Sequence, residues 1–473
     1  MKFVNRVEEK QRLINTLNGE KSSFIVIYGR RRLGKSTLIK KIVTDKDIYF
    51  LADQTETSQQ IRLLAKEIAS KIEGFDKVVY PDWNTLFETL HLRTNERFTL
   101  CLDEFPYMVK KSPELPSVLQ KHLDSKTVNY NLILCGSSQT MMQGLVLDAK
   151  EPLYGRADQI VKLTPINISY LVEYLNCNAI QAVEEYAVWG GIPRYWELRQ
   201  KCKSLHEAIE YHIINSQGVL YEEPYRLLFD DMRDIVQAST LLSVIGSGAN
   251  RLSEIAAKMG KPATQLSRPL DKLMELGFVE REIPFGENPK NSKKSLYKIA
   301  DPFMDFYYRF VIPNRSLIEL GRTNTVLNDV KEKLNIYTSL HWENLCRNAV
   351  SGNTLNGVTY HVASRWWGNV SREEMIEIDV VALSLDQKTL LVGECKWSDI
   401  SSSDALIAHL TEKAKKMPIA KGKKIVPMLF VKSCKTLKNS ILFAENILNF
   451  KIKNQYAKSS LHRSNRPPSY REP

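Results

Sequence analysis

The chain has 473 residues, 43% of them hydrophobic and 25% charged; domains cluster at about 100–200 residues, so several are expected, and a fibrous or wholly disordered protein is excluded. Lys and Arg number 66 against 54 Asp and Glu, a net charge of +12 that favours contact with a polyanion such as nucleic acid. Lys451, Lys453, Lys458, Arg463, Arg466 and Arg471 against Glu472 place +5 of that charge at the end of the chain, where 456–473 read as a basic disordered tail, so the folded part is only mildly basic. Apolar runs such as Phe24 to Tyr28 and Ile425 to Val431 fall short of the ~18 residues of a membrane helix, and no signal pattern opens the chain, so a cytoplasmic protein without a membrane partner is expected. Seven dispersed cysteines imply neither a disulfide framework nor a zinc site.

From the amino terminus, Glu8 to Leu17 has helical spacing, and Ser23 to Tyr28 is an apolar run of buried-strand length. Further strand-length segments, Ile48 to Leu51, Phe98 to Leu102 and Leu132 to Cys135, alternate with amphipathic stretches up to about Pro165. That alternation predicts a parallel sheet with crossover helices.

Directly after the first strand stands Gly29-Arg30-Arg31-Arg32-Leu33-Gly34-Lys35-Ser36-Thr37, which satisfies GxxxxGK[ST] and leads into a helical pattern. The two glycines let such a loop wrap its backbone N–H groups around the β-phosphate of ATP. Lys35 then reaches the β- and γ-phosphates, and the Ser36 hydroxyl ligates Mg2+. A metal-bound triphosphate also needs a carboxylate at a neighbouring strand end, and Phe98 to Leu102 runs into Asp103 and Glu104. Asp103 is the candidate Mg2+ holder and Glu104 the candidate general base. The next strand ends in Gly136-Ser137-Ser138-Gln139, which makes Ser138 a candidate γ-phosphate contact.

From Ile168 to about Arg233 the pattern is helical, interrupted at Gly190-Gly191-Ile192-Pro193. Ile235 to Ile312 then reads as helices Ile235 to Ile245, Leu252 to Met259 and Thr264 to Leu276, followed by a hairpin with its loop over Pro284 to Lys294. Three short helices and a basic hairpin suggest a winged helix-turn-helix. Gln265, Ser267, Arg268 and Lys272 are its candidate base and phosphate contacts, and Lys290, Lys293, Lys294 and Lys298 form a wing with no acid in that run. Pro269 is expected to disturb the third helix, and protein docking or a part in an ATPase lid is the alternative to DNA binding.

The last folded segment opens with a helix around His341 to Val350. Two strands joined by the turn Asp386-Gln387-Lys388 would bring Asp379 beside Glu394, with Lys396 on the same face as Glu394. Two carboxylates for Mg2+ and an ammonium to orient or deprotonate water are what phosphodiester hydrolysis requires. The alternative is a degenerate domain that keeps these residues as a salt-bridged pair.

Taken together, YGRRRLGKST, LDEF, CGSS, LYGR (153–156), GGIPRY (190–195) and YKIADP (297–302) resemble a family of prokaryotic AAA+-related ATPases that carry a winged helix and a C-terminal domain of poorly defined function. The resemblance implies an α/β fold: a P-loop NTPase parallel sheet (1–167), a helical lid (168–233), a winged helix-turn-helix (234–315) and an α/β C-terminal domain (316–455). It makes Arg156 a candidate arginine finger, acting in cis or across a homo-oligomer, with a structural arginine paired to a carboxylate as the alternative. Phe3-Val4-Asn5-Arg6 resembles the family's opening motif, with Asn5 in place of the usual Gly. The C-terminal constellation resembles the PD-(D/E)xK nuclease core, which implies Glu343 as a third metal ligand beside Asp379 and Glu394. The expected protein couples ATP hydrolysis to DNA binding and Mg2+-dependent cleavage; the alternative is a nucleotide-controlled DNA-binding or signalling switch with a non-catalytic C-terminal domain.

Overall fold

The computed structural model describes residues 5–450 apart from 95, 126, 127, 291, 293, 436 and 437. Phe3, Val4, Lys293 and the basic tail therefore lie outside the described residues. By packing, the described residues form two units: 5–164 with Phe229–Arg233, and Pro165–Leu228 with 234–450.

In the first unit, β1 (Phe24–Tyr28), β2 (Ile48–Leu51), β3 (Thr99–Asp103), β4 (Asn131–Gly136) and β5 (Gln159–Lys162) form one sheet in the order β2-β3-β4-β1-β5. All four pairings are parallel. β1, β3 and β4 are buried along their whole length, which is why they read as unbroken apolar runs. β5 was not expected, because an edge strand with an exposed Ile160 and polar ends carries no such run. On one side of the sheet, Trp83, Phe87 and Leu64 pack with Val26, Leu102 and Leu134. Full burial of each such side chain contributes about 1.5–3 kcal/mol. This core holds the carboxyl ends of β1, β3 and β4 side by side, where ligands of open α/β sheets bind.

The second unit begins with the helices Ser169–Leu175, Ala179–Trp189, Pro193–Gln200 and Leu205–His212. Gly191 has no room for a side chain, since a Cβ would stand 2.2 Å from the Ile166 carbonyl oxygen. The segment expected to serve the ATPase as a lid packs here instead: Ala179, Ala182 and Val183 share a core with Trp342, Leu345 and Phe430. Its last five residues, Phe229–Arg233, belong to the other unit.

Helices Ile235–Gly246, Leu252–Met259 and Ala263–Glu275 follow, then an antiparallel hairpin of β6 (Val279–Glu282) and β7 (Leu296–Ile299). The third helix runs unbroken through Pro269, contrary to expectation. Leu266, Leu270 and Leu273 bury one continuous stripe, and the carbonyl Pro269 cannot serve belongs to Gln265, which is exposed to solvent.

The helix expected near His341 is the end of a single 28-residue helix, Thr323–Val350. After a short pair, β8 (Thr354–Leu355) and β9 (Val358–Thr359), comes a second sheet in the order β10 (Ser364–Asn369), β11 (Met375–Leu383), β12 (Thr389–Ile400), β13 (Lys424–Cys434) and β14 (Ile441–Leu442). β10, β11 and β12 are antiparallel, and β13 joins β12 in parallel across the helix Asp404–Lys415. Trp342, Leu345 and Val380 share the core on the long helix's side, while Ile378, Val392, Leu410 and Ala414 share the core beneath Asp404–Lys415. No helix among the described residues is long and apolar enough to cross a membrane.

Candidate functional site

The phosphate-binding loop leaves β1 through Gly29, where a Cβ would lie 2.6 Å from the Leu163 carbonyl oxygen. It enters the helix Lys35–Ile39 through Gly34, whose φ of 86° is left-handed. Arg6 clamps the loop from outside, donating to the carbonyls of Leu33 (3.3 Å) and Thr164 (2.5 Å). Asn5 has φ 65°, so it supplies the conformation for which the related motif uses Gly, at a residue type that tolerates it.

Within the loop Lys35 is 6% exposed, and its ammonium folds back on the carbonyls of Gly29 (2.8 Å) and Arg30 (3.1 Å). Burial lowers its pKa, against the opposing pull of Cys135, Glu104 and Asp103. The Ser36 hydroxyl donates to Asp103 at 2.7 Å, joining the loop to the end of β3. Tyr49, which sequence reasoning missed, donates to the same carboxylate oxygen at 2.5 Å. Burial works to raise Asp103, but hydrogen bonds from Cys135, Tyr49, Ser36 and the Glu104 N–H keep it below the usual carboxylate range. Glu104 has a left-handed φ of 54°, a strain typical of functional positions, and its carboxylate accepts from the Ser137 hydroxyl at 2.8 Å.

The structure thus gathers Lys35, Ser36, Asp103 and Glu104 around the carboxyl ends of β1, β3 and β4. Ser138 is there as well, with its hydroxyl donated to Asp231 at 2.9 Å. These residues fit a Mg2+-bound triphosphate: a buried ammonium is bonded to its own loop, and the hydroxyl and carboxylate that would hold the metal already touch. Arg156 is not part of this constellation. Its guanidinium grips Asp124 through two bonds of 2.7 and 2.8 Å and the Pro152 carbonyl at 2.7 Å, which is the geometry of a structural arginine.

In the second unit, the β11–β12 register pairs Val380 with Gly393 and so sets Asp379 across from Glu394. Asp379 accepts the Cys395 N–H at 2.8 Å. Glu394 lies 2.9 Å from the Lys396 ammonium and 3.8 Å from that of Lys413. Lys413 was not foreseen, because in the sequence it is one lysine among several on an amphipathic helix. Glu343 lies 3.5 Å from Arg347, whose buried guanidinium also donates to the Asp379 carbonyl (2.9 Å) and Asn344 (2.6 Å) and meets Glu282 at 3.4 Å. The expected metal set is not assembled: among the described residues no group of three or more His, Cys, Asp or Glu could hold a metal ion. Each carboxylate has instead turned to a basic group or an N–H, the salt-bridged arrangement.

Asp379 is pushed up to about 7, first by burial and then by Glu343 and Glu394, with the Cys395 N–H opposing. A raised carboxyl favours the folded state when protonated, so its contribution is present below its ordinary pKa near 3.8 and is lost as pH rises through about 7. The parent protein is therefore expected to lose denaturant resistance between pH 4 and 8, and Asp379→Asn to lose less, as urea midpoints across that range will measure.

The hairpin corrects a further expectation. Lys298 is paired with Glu280 (3.0 Å) and Glu282 (2.5 Å), and Lys294 with Glu287 (2.9 Å), so acids from adjoining positions neutralise much of the basic run. Gln265, Ser267, Arg268 and Lys290 remain exposed.

A five-stranded parallel sheet, a phosphate loop after its β1 strand and paired acids at the end of β3 define a P-loop ATPase. Residues 3–196 match a family described as an ATPase domain predominantly from Archaea, and 307–407 match one described as Archaea bacterial proteins of unknown function. An uncharacterized protein of Methanocaldococcus jannaschii is 32% identical over 419 residues, spanning 85% of this chain and 89% of that one. The chain belongs to that family of ATPases with a C-terminal domain of unknown function. An uncharacterized ATP-binding protein of the same organism is 50% identical over 46 residues, 10% of this chain and 78% of its own. The Walker-type ATPase of Pyrococcus abyssi has a similar fold, with a TM-score of 0.50 at 19% identity over 65% of this chain and 96% of that one.

Proposed function

We propose that the chain binds ATP and Mg2+ at Gly29–Thr37, hydrolyses the ATP, and uses the nucleotide state to control DNA binding by the segment 234–315. The observation that carries the reading is the Ser36–Asp103 contact beside the buried Lys35 ammonium. Bound Mg2+ would offset the charge of the triphosphate as its terminal phosphoryl group departs. Lys35 would exchange its loop carbonyls for phosphate oxygens, Ser36 and Asp103 would hold the metal, and Glu104, once off Ser137, would accept a proton from the attacking water. Arg156, held by Asp124, braces the turn before β5. On the DNA side, exposed Gln265, Ser267 and Arg268 present base-reading and phosphate-binding groups on one helix. A second reading, cleavage of the bound DNA, is favoured by one feature, the buried Asp379 carboxyl whose charge is opposed by neighbouring Glu343 and Glu394, and it requires those two to exchange their present cations, Arg347 and Lys396, for a metal.

Fluorescence anisotropy with labelled duplex DNA, in ADP, ATP and a slowly hydrolysed ATP analogue, tests the coupling. Affinity should differ severalfold between nucleotide states, and Arg268→Ala should weaken binding by about 1–3 kcal/mol. Equal affinity in all three states overturns the reading. Nicked product in the same mixtures, absent with Asp379→Ala, would establish cleavage.

A further inference from the structure

The chain leaves the second unit after Leu228 and re-enters it at Asp234, and the intervening Phe229-Asp230-Asp231-Met232-Arg233 packs with the nucleotide-binding unit. Two consecutive carboxylates are thereby set among phosphate-binding groups. Asp230 Oδ2 lies 2.5 Å from Nε of Arg31, in the middle of the phosphate loop, with the Asp230 side chain 15% exposed. Arg31 is further braced by the Tyr107 hydroxyl at 2.6 Å. Asp231 Oδ1 accepts both the Ser138 hydroxyl at 2.9 Å and the Thr140 N–H at 3.0 Å, beyond the end of β4. None of the five residues is fully buried, and Phe229 and Arg233 are exposed. Polar contacts, rather than apolar burial, are therefore the main hold on this segment.

We propose that Phe229–Arg233 is a displaceable anionic strap that competes with the terminal phosphate of a nucleoside triphosphate for Arg31 and Ser138, so that a triphosphate expels it and a diphosphate does not. The proposal rests on the reading of Gly29–Thr37 as the nucleotide site. Its physical basis is like-charge exclusion at a partly buried site, with the Arg31 side chain 40% exposed. Burial already disfavours the Asp230 charge, Arg31 and Lys35 oppose that, and Asp231 and Glu104 add to it. A terminal phosphate adds negative charge at the same place and draws Arg31 and Lys35 to itself, leaving Asp230 without its cations. A diphosphate stops short of the groups that Asp231 occupies. Displacement of the strap passes along the backbone to the helix Ile235–Gly246, which starts two residues beyond Arg233. The terminal phosphate would thus be reported directly to the segment read as DNA-binding.

The test combines calorimetry of ADP and a slowly hydrolysed ATP analogue on the full chain with trypsin cleavage after Arg233. Asp230→Asn/Asp231→Asn should bind the analogue roughly tenfold more tightly and ADP with little change. In the parent protein the analogue, and not ADP, should speed cleavage after Arg233. Unchanged analogue affinity in the double variant, or cleavage indifferent to nucleotide in the parent, overturns the strap while nucleotide binding by the parent stands. A parent that takes up neither nucleotide overturns the nucleotide site and the strap together.

Discussion

Lys35→Ala is expected to abolish ATP turnover in a chain that still folds. The ammonium is buried, and its hydrogen bonds go to the loop carbonyls of Gly29 and Arg30. Its removal leaves the Gly29 and Arg30 carbonyls without that donor, a cost of about 1–3 kcal/mol that relief from burying a charge partly offsets. Turnover has no such compensation. The loss of a preorganised cation from a water-poor site typically lowers a rate by ~100- to 1,000-fold. Steady-state phosphate release from the variant, with far-UV circular dichroism to verify folding, measures both halves of the expectation. Turnover at the parental rate would end the assignment of Gly29–Thr37 as a hydrolytic site.

The largest expected loss of stability lies in the other unit. Burial disfavours the Arg347 charge, but Glu282 and Glu343 more than compensate and keep the guanidinium firmly protonated. Arg347→Met would fill much of the volume yet leave Glu343 and the Asp379 carbonyl without that donor, while Glu282 retains Lys298 and Arg365. Breaking one partner of a buried ion network costs about 3–5 kcal/mol, to be read as a lower urea midpoint. Replacing Glu343 by Gln in the same chain should recover part of the loss, since the carboxylate that Arg347 compensated is then gone. A midpoint within error of the parent would show that the network adds nothing net to stability.

Much of the nucleotide site could be read from the chain alone because its chemistry is local. Gly29 to Thr37 form one continuous turn, and Asp103 and Glu104 terminate a buried strand whose apolar run is conspicuous. The opposed strands of the C-terminal sheet were legible for a similar reason: alternation and the turn at Asp386 set the register that faces Asp379 toward Glu394. β5 and β10 were not legible, since edge strands bury too little to leave a continuous apolar pattern. The Pro269 expectation failed because three buried leucines outweigh one missing hydrogen bond.

The sequence by itself determined the class of the protein, a P-loop ATPase with further domains, and located its loop lysine and serine and its strand-end acids. Only the tertiary structure decided how the charges pair. It gave Arg156 to Asp124, Lys298 to the acids of its own hairpin, Glu394 to two lysines, and Arg31 to an aspartate 199 positions later. The physical reason is range. Backbone conformation and strand burial are written in neighbouring residues, whereas a charged side chain takes whichever opposite charge the fold brings within about 4 Å, and sequence separation has no bearing on that distance.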